Sequence, residues 1–286
     1  MYHIISNPTA GKRGNKHCLD LAVGVFKAAG AEYEIHETTR RNEAKEIVKR
    51  LTVAGETEIV VVGGDGTLHE VLNGLANPAV CKLGLIPAGT GNDFADAAGI
   101  PHDAEEAARL ILKGETRETD YLEIDGVRCM NIGGMGMDVD ILERCRKGKL
   151  KGRIKYFISL FQSVFSFKGL KISLKNDEKV IEKNAMIAVV CNGSRFGGGM
   201  PVCPIAGIDD GKIDVVVVEH IKGLGNILKA FTKLMKGKIL EYHITEHFLC
   251  DEIAIAADPC ALQLDGEIYN DLRFDAKIRR GLKFYR

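Results

Sequence analysis

The sequence predicts an α/β fold followed by a β fold: a parallel α/β domain at residues 1–120 and a mainly antiparallel β-sandwich domain at residues 121–286. Short apolar runs alternate with helical patterns in the first part, which is typical of a parallel sheet covered by helices. From about residue 119, hairpin signals replace this alternation. A chain of 286 residues is also near the length at which one core splits into two.

Four strands and the helices between them are predicted in the first domain. The helical patterns stop at Gly30, Gly55 and Gly114, as helices that end at a glycine do. Ligands of such sheets bind beyond the carboxyl ends of the strands, so the loops there are candidate sites. The predicted buried strands are residues 4–5, 33–36, 59–62 and 83–86, and the helices are residues 19–29, 47–51, 68–76 and 104–112.

The second domain shows hairpins and short strands. Asp125-Gly126 and Asn176-Asp177 each separate two strand-like runs, as hairpin turns do. A helical pattern at residues 224–236 predicts a helix whose apolar side packs on the core and whose lysines face solvent. A second helix is predicted at residues 153–166, and the last strand can return to the first domain. Further strand-like runs lie at residues 185–191, 213–218, 248–249, 253–255, 261–264 and 272–274.

Composition excludes several classes of protein. Lys+Arg and Asp+Glu both number 39, and a net charge of zero gives no support to a nucleic-acid partner. The eight cysteines form no CxxC pair, which indicates reduced thiols rather than a disulfide framework. There is no signal-peptide pattern, and no apolar run approaches the ~18 to 20 residues of a membrane span. We therefore expect a cytoplasmic protein.

Three glycine-containing turns follow the first, third and fourth predicted strands. Small residues let backbone N–H groups approach a phosphate, and an acid at the turn can reach Mg²⁺. The simpler interpretation is a tight turn into a helix with an acid as its N-cap, although one cap does not explain three glycines around Asp65. The turns are Asn7-Pro8-Thr9-Ala10-Gly11-Lys12, Gly63-Gly64-Asp65-Gly66-Thr67 and Pro87-Ala88-Gly89-Thr90-Gly91-Asn92-Asp93-Phe94.

Familiar motifs of other enzymes are missing from the sequence. It contains no GxxxxGK[ST] P-loop, no GxGxxG after the first strand, and no HRD or DFG set. It also has no GxSxG elbow. P-loop enzymes, Rossmann dehydrogenases, protein kinases and α/β-hydrolases are therefore disfavoured.

Together with Leu264-Asp265-Gly266-Glu267, the three turns resemble the diacylglycerol kinase catalytic-domain family, which includes bacterial soluble lipid kinases and eukaryotic diacylglycerol, sphingosine and ceramide kinases. The four motifs occur in the family's order from residue 7 to residue 267. The resemblance implies a nucleotide-binding domain like those of NAD kinase and phosphofructokinase. It also implies an ATP- and Mg²⁺-dependent kinase acting on a lipid hydroxyl, with diacylglycerol giving phosphatidic acid as the leading reaction.

The resemblance also implies roles for individual residues. Asp65 would act near the phosphates and the catalytic Mg²⁺, and Glu267 would be the general base. Without the resemblance, the residues around Glu267 favour a structural acid in a hairpin. A structural Mg²⁺ site is implied at Asp210 with the carbonyls of Gly207 and Lys212. Without the resemblance, these residues favour a simple turn into a strand. The candidate ATP-binding residues are Asn7, Pro8, Thr9, Ala10, Gly11, Lys12, Thr38, Gly63, Gly64, Asp65, Gly66, Thr67, Leu68, His69, Glu70, Thr90, Asn92 and Asp93.

The basic residues between Arg144 and Lys155, followed by an aromatic-rich helix, favour transient contact with an anionic membrane surface that presents the lipid. A solvated loop before a packed helix explains them equally well. A kinase like NAD kinase or for another small molecule, and a catalytically silent nucleotide-binding regulator, are the alternative functions. Diacylglycerol, a sphingoid base, phosphatidylglycerol and a polyprenol are all open as acceptors. The oligomeric state is open too, a homodimer included.

Overall fold

The protein is described by a computed structural model that covers residues 1–8, 14–147, 159, 162–163, 166–176, 179–258 and 261–286. Its chain forms two compact units: unit 1 is Met1–Tyr121 with Arg280–Arg286, and unit 2 is Leu122–Arg279. Parallel strands in the first and antiparallel strands in the second confirm the predicted fold class. Among the helices of the described residues, none combines the length and the apolar character needed to cross a bilayer.

Unit 1 is built on a parallel sheet with the strand order β2-β1-β3-β4. Its strands are rich in β-branched residues, and Ile4 and Val60 face each other across β1 and β3 with no exposed surface. The end of the last strand, β15, adds to this sheet in parallel through Lys283 and Phe284, beside β4. The strands are β1 Tyr2–Ser6, β2 Tyr33–Glu37, β3 Glu58–Gly63, β4 Lys82–Pro87 and β15 Phe274–Tyr285.

The helices predicted in unit 1 are confirmed. The first ends beside Gly30, whose φ of 65° is the left-handed conformation that glycine adopts without strain. Phe26 and Val48 are fully buried, which explains the helical spacing of the apolar residues, and the ring of Phe26 packs on Tyr2 and Tyr33 of the sheet. The helices are α1 Gly14–Ala28, α2 Glu43–Val53, α3 Asp65–Gly74, α4 Asp93–Ala98 and α5 Ala104–Leu112, with a short 3₁₀ helix at Pro78–Val80.

The second strand is not the buried strand that its apolar run predicts. In the described part of the chain, β2 lies at the sheet edge and pairs only with β1. Glu34 and Glu37 are exposed, and Ile35 has 39% of its surface exposed. An edge strand buries less side-chain surface than a central one, and charged residues protect its open edge from pairing with another chain.

Unit 2 consists of antiparallel strands around the long strand β9. Alternate residues of β10 face two apolar clusters: Val215 and Val217 pack in one, and Val216 and Val218 in the other. Both faces of this strand are therefore covered. The strands are β5 Thr116–Ile124, which begins in unit 1, β6 Val127–Cys129, β7 Ile132–Gly136, β8 Leu170–Asn176, β9 Lys179–Cys191, β10 Ile213–Glu219, β11 Thr245–Cys250, β12 Glu252–Ala257, β13 Leu262–Leu264 and β14 Glu267–Tyr269.

The described helices of unit 2 are α6 Met137–Lys147, α7 Leu224–Met235 and a 3₁₀ helix at Ile239–Glu241. The helix predicted at residues 153–166 falls mostly outside the described residues. The expected orientation of α7 is partly wrong, because Leu228 and Met235 are 48% and 41% exposed. Its lysines are not simply solvated either, since Lys229 and Lys233 lie 5.3 and 5.8 Å from the centre of the Tyr242 ring.

Candidate functional site

The second and third glycine turns contact each other at the carboxyl ends of β3 and β4. Gly63 is paired with Pro87, and its carbonyl accepts a hydrogen bond from the N–H of Ala88 at 2.9 Å. A Cβ on Gly64 would lie 2.8 Å from Cα of Gly89, and one on Gly89 would lie 2.5 Å from Cα of Gly64. Only glycine permits so close a contact. The two turns therefore pack backbone against backbone at this point.

Asp65 joins the second turn to the third. Its Oδ2 accepts a hydrogen bond from the N–H of Asp93 at 3.2 Å, and its Oδ1 accepts one from the N–H of Phe94 at 3.1 Å. These N–H groups belong to the first turn of α4. Asp65 is not the N-cap of its own helix, because α3 begins at Asp65 and its cap is Gly64. A carboxylate can accept about four hydrogen bonds, so these two do not exclude a metal or water ligand.

Asn92 shapes the third turn. Its φ of 58° is left-handed, and its Oδ1 accepts a hydrogen bond from the N–H of Gly89 at 2.9 Å. The neighbouring Asp93 is 6% exposed, whereas Thr90 is exposed at the tip of the turn. Residues predicted together as a motif therefore divide between a buried scaffold and an accessible tip.

The other candidate ATP-binding residues lie around β1, β2 and α3. The N–H of Thr38 donates to the carbonyl of Ser6 at 2.8 Å, and the Asn15 amide donates to the carbonyl of Asn7. Leu68 and His69 are buried, with 1% and 4% of their surface exposed. Thr67 is also buried, and Glu70 is half-buried. Pro8 is exposed, Gly66 is exposed, and Thr9, Ala10, Gly11 and Lys12 lie outside the described residues. Their contacts with ATP stay predictions.

In unit 2, Asp265 holds a backbone segment in place. It lies in the hairpin between β13 and β14, with φ of 50° followed by 86° at Gly266. Its carboxylate accepts hydrogen bonds from the N–H groups of Met130, Asn131 and Ile132 at 2.8, 2.9 and 3.3 Å. The sequence motif contains this acid, but the motif alone did not assign it this structural role.

The thiol of Cys129 adds a fourth hydrogen bond to Asp265. Its Sγ lies 3.1 Å from Oδ1 of Asp265. Burial raises the pKa of the Cys129 thiol well above its ordinary value, and the nearby Asp265 carboxylate raises it further. The thiol therefore keeps its proton and acts as a donor.

Glu267 is the first residue of β14 and pairs with Leu264 across the hairpin. Its Oε2 accepts a hydrogen bond from Nη2 of Arg146 at 2.9 Å. Both side chains are partly exposed, at 28% for Glu267 and 44% for Arg146. Arg146 was predicted only as part of a membrane-binding segment, so its contact with the candidate base is new. The guanidinium orients the carboxylate without burying it.

Asp138 is a buried acid that the sequence patterns did not identify. It lies in the first turn of α6 and is 1% exposed. Burial raises the pKa of its carboxyl to about 7, against the smaller opposing effects of the Val139 N–H, which donates at 2.9 Å, and the Gln263 side chain. Its position directly after the glycine-rich strand β7 is the one sequence signal that could have identified it.

The turn proposed as a structural Mg²⁺ site is compact. Oδ1 of Asp210 accepts a hydrogen bond from the N–H of Lys212 at 2.9 Å. A Cβ on Gly207 would lie 3.0 Å from Oδ2 of Asp210, so glycine leaves room beside the carboxylate. The Lys212 ammonium points to Asp251, with Nζ 2.7 Å from Oδ1. The residues fit a small oxygen-ligated cation, and the site stays a prediction.

An apolar pocket lies in unit 2 between α6, α7 and the sheet. Its cavity volume is about 60 Å³, and every described residue that lines it is apolar. The lining is rich in flexible and aromatic side chains. It includes Met137, Met186, Met200, Phe196, Phe231 and Leu234.

The described basic residues of α6 are each neutralised by an acid. Arg144 contacts Asp140 at 2.8 Å, and Lys147 contacts Glu143 at 3.4 Å. Arg146 contacts Glu267. Residues 148–158, which include the other four basic residues of the predicted membrane-binding segment, lie outside the described residues. Membrane contact through this segment stays a prediction.

Comparisons with known families match both units. The family described as "Diacylglycerol kinase catalytic domain" matches residues 1–124, which include the three glycine turns. The family described as "YegS C-terminal NAD kinase beta sandwich-like domain" matches residues 132–281, which include the hairpin of Glu267.

Individual relatives cover nearly the whole chain. It is 30% identical over 274 residues to the diacylglycerol kinase of Bacillus subtilis (strain 168), covering 92% of this chain and 88% of that protein. It is 34% identical to the protein named "Probable lipid kinase YegS-like" of Stenotrophomonas maltophilia (strain K279a), covering 90% and 87%. The crystal structure of a diacylglycerol kinase from Bacillus anthracis (strain Sterne) is similar with a TM-score of 0.80 at 27% identity, covering 99% of this chain and 96% of that one.

Proposed function

The chain belongs to the diacylglycerol kinase catalytic-domain family, as its motifs predict, and we propose that it transfers the γ-phosphoryl group of ATP to the hydroxyl group of a lipid. Diacylglycerol is the leading acceptor, and phosphatidic acid is then the product. Beyond the family itself, the observation that favours a lipid as the acceptor is the apolar pocket of unit 2.

The pocket is suited to an acyl chain by its chemistry rather than by its present size. A volume of about 60 Å³ is well below that of most ligand pockets, which measure roughly 300 to 1,000 Å³. Methionine side chains adapt their shape at low cost, and Met137, Met186 and Met200 all line the pocket. An acyl chain is therefore expected to enter by moving these side chains apart. A water-soluble acceptor gains nothing from such a lining.

The glycine turns of unit 1 are suited to the phosphates of ATP. Gly64 and Gly89 let the second and third turns meet backbone against backbone, at the carboxyl ends of the strands where ligands of such sheets bind. Asp65 holds the second and third turns together through the N–H groups of Asp93 and Phe94. Phosphoryl transfer depends mainly on positioning and charge, so a rigid pair of turns contributes directly to it.

Glu267 is the proposed general base. It accepts the proton of the lipid hydroxyl while the oxygen attacks the γ-phosphorus and ADP leaves. Arg146 positions the carboxylate through its 2.9 Å hydrogen bond. Asp265, two residues earlier, fixes the hairpin from which Glu267 projects.

Oxygen ligands for magnesium are present in both units. When bound, Mg²⁺ would neutralise part of the negative charge of the phosphates. Asp65 and Asp93 are the acids at the glycine turns, and Asp210 with the carbonyls of Gly207 and Lys212 is the proposed structural site. These oxygen atoms are of the type that this cation prefers.

The direct test of the lipid acceptor is an assay in which ATP carries a radioactive label on its γ-phosphate and is offered to a panel of acceptors. Purified protein is incubated with diacylglycerol, sphingosine, phosphatidylglycerol or a polyprenol in mixed micelles, and separately with NAD. We expect label in a lipid, greatest in diacylglycerol, and none in NAD. Label in NAD alone, or in no acceptor at all, would contradict the proposal.

A pocket-filling variant tests the acyl site. Ala230 lines the pocket on α7, and Ala230→Phe should occupy the space that an acyl chain needs. We expect a raised KM for long-chain diacylglycerol and an unchanged KM for ATP. Thr232→Phe is the matched control, because Thr232 is exposed on the same helix. An equal change in the KM for diacylglycerol with both substitutions would contradict acyl-chain binding in this pocket.

A further inference from the structure

Three metal-ligating side chains meet on strands β1 and β2 of unit 1, outside the glycine turns. His3 is paired in register with Glu34, and His36 lies two residues further along β2 on the same face. Nδ1 of His3 is 3.1 Å from Nε2 of His36. Oε2 of Glu34 is 3.6 Å from Nδ1 of His3 and 3.7 Å from Nε2 of His36.

These separations match the coordination shell of a zinc-sized ion. A point equidistant from atoms 3.1, 3.6 and 3.7 Å apart lies about 2.0 Å from each of them. Zn–N and Zn–O bonds have about this length. Two imidazoles and one carboxylate are also a known ligand set for zinc in proteins. The three donor atoms therefore have the spacing that an ion needs, and its binding would replace the hydrogen bond between the two imidazoles.

A fourth side chain supports the ring of His3. Nε2 of His3, the nitrogen away from the cluster, lies 3.0 Å from Oε2 of Glu56. Nε2 of His3 has no hydrogen-bond partner among the described residues, so Glu56 is a nearby charge in this structure. With a metal on Nδ1, Nε2 would carry the proton and could donate it to Glu56, as ligating histidines do to a carboxylate behind them.

The burial of the cluster is graded. The side chains of His3 and His36 are 2% and 12% exposed, whereas that of Glu34 is 54% exposed. The exposed side at Glu34 leaves an entry path and a position for a water ligand.

We propose that His3, His36 and Glu34 bind one divalent cation of the zinc class. The ion would link the exposed edge strand β2 to its neighbour β1. It is separate from the phosphoryl-transfer chemistry, because none of its ligands belongs to the glycine turns or to the Glu267 hairpin. If no zinc binds at this cluster, the proposed kinase function is unaffected.

The test is a zinc titration of the full-length chain with any affinity tag removed. Metal is stripped with a chelator, and Mg²⁺ is added in excess to saturate sites made of oxygen ligands. Zinc binding is then measured by competition with a chromogenic chelator, and the melting temperature is measured with and without zinc. We expect tight binding at this site and a higher melting temperature with zinc.

Variants assign the zinc to this cluster. Glu34→Gln removes a ligand at an exposed position and should fold normally, so it decides the question even if His36→Gln is unstable. Both should lose the tight zinc and the rise in melting temperature. Glu56→Gln should weaken binding by roughly 10- to 100-fold, the usual effect of losing a group that orients a ligand.

Two control variants separate this cluster from other binding. His102→Gln removes an exposed histidine of the same unit, which contacts Asp96 at 2.7 Å. Cys203→Ser removes a member of a second group of donor atoms, Cys203, Asp214 and His247, in unit 2. Both controls should keep the tight zinc. The proposal is overturned if Glu34→Gln binds zinc as tightly as the parent, or if the tight zinc is lost with Cys203→Ser instead.

Discussion

The glycine turns of unit 1 and the Asp265 hairpin of unit 2 use an acid in the same structural way but distribute their chemistry differently. In unit 1, Asp65 accepts two backbone N–H groups and is also the acid proposed to act near the phosphates. In unit 2, Asp265 accepts three backbone N–H groups, and the proposed base is a separate residue, Glu267. In the proposed function, one acid therefore has both the structural and the chemical role in the first region, whereas two acids divide these roles in the second.

This difference determines what a mutation can reveal. A substitution at Asp65 changes both the hydrogen bonds of the turns and the charge at the proposed phosphate site, so a loss of activity there would have two explanations. Substitutions at Asp265 and Glu267 can be compared directly, because each removes one of the two roles. The following predictions test this separation.

The largest effect on stability is expected for Asp265→Ala. The N–H groups of Met130, Asn131 and Ile132 lose their acceptor, and each unsatisfied donor costs about 1 to 3 kcal/mol. Alanine also fits poorly at a φ of 50°. We expect the free energy of unfolding to fall by about 3 kcal/mol or more, measured by urea denaturation. A change below the error of that measurement would show that the segment 130–132 does not depend on this acid.

Asp138 supplies a pH-dependent test within unit 2. Its pKa is about 7 in the folded protein and near 3.8 in the unfolded chain, so unfolding releases a proton between these values. The free energy of unfolding should therefore fall as pH rises from 5 to 8, by about 2 to 3 kcal/mol from this group, at 1.36 kcal/mol per pKa unit. Asp138→Asn should remove this part of the pH dependence. Identical pH profiles for the two proteins would mean that Asp138 is charged in its buried position.

Asp65→Asn should affect stability and activity together. Asparagine offers one carbonyl oxygen where Asp65 offers two acceptors to the N–H groups of Asp93 and Phe94. We expect a loss of about 1 to 3 kcal/mol in stability, with a loss of ATP turnover per folded molecule. Thermal denaturation and a turnover assay on one preparation check both. Full turnover in the folded fraction would leave Asp65 with a scaffolding role alone.

A smaller effect is expected at the contact between the glycine turns. In Gly89→Ala the new methyl group would lie 2.5 Å from Cα of Gly64, whereas a Cβ on Gly24 meets nothing within 4 Å. Gly89→Ala should therefore cost about 1 to 3 kcal/mol, as overpacking does, and weaken ATP binding. Gly24→Ala, inside α1 and outside the candidate ATP-binding residues, should be neutral or slightly stabilising. Calorimetric ATP titration and melting curves compare the two, and similar results for both would argue against the contact.

The sequence predicts unit 1 better than unit 2 for a physical reason. In a parallel α/β unit, buried strands are continuous apolar runs, and glycines mark the helix ends, as at Gly30 and Gly114. β2 is the exception, because its position at the edge depends on the strand order and not on its own residues.

In unit 2, strand β7 contains glycines where the usual strand pattern has β-branched residues, because neighbouring side chains lie too close for a larger residue. β7 was missed because Gly133 and Gly134 weaken its strand signal, although a Cβ on Gly133 would lie 2.7 Å from Cδ1 of Ile124. Such glycines are required by neighbours distant in sequence. β15 was predicted only at residues 272–274, yet it extends from Phe274 to Tyr285 because both units provide partners for it.

The candidate site shows the same limit. The motifs predict roles for Asp65 and Glu267, but the hydrogen bonds of Asp265 and the contact of Arg146 with Glu267 join segments more than 100 residues apart. Local spacing carries no information on such pairs. Asp138 was missed because its altered pKa arises from burial, which depends on the whole fold.

The central claim is that Glu267 performs chemistry while Asp265 holds the hairpin, and Glu267→Gln tests it most directly. Glutamine keeps the shape but cannot accept the proton, so kcat for lipid phosphorylation should fall by roughly 10²- to 10⁴-fold, with little change in the KM for ATP. The melting temperature should stay near that of the parent, because a partly exposed ion pair such as Glu267–Arg146 contributes only about 0 to 1 kcal/mol. Parental turnover per folded molecule together with a clearly lower melting temperature would show that Glu267 is part of the scaffold and that the base lies elsewhere.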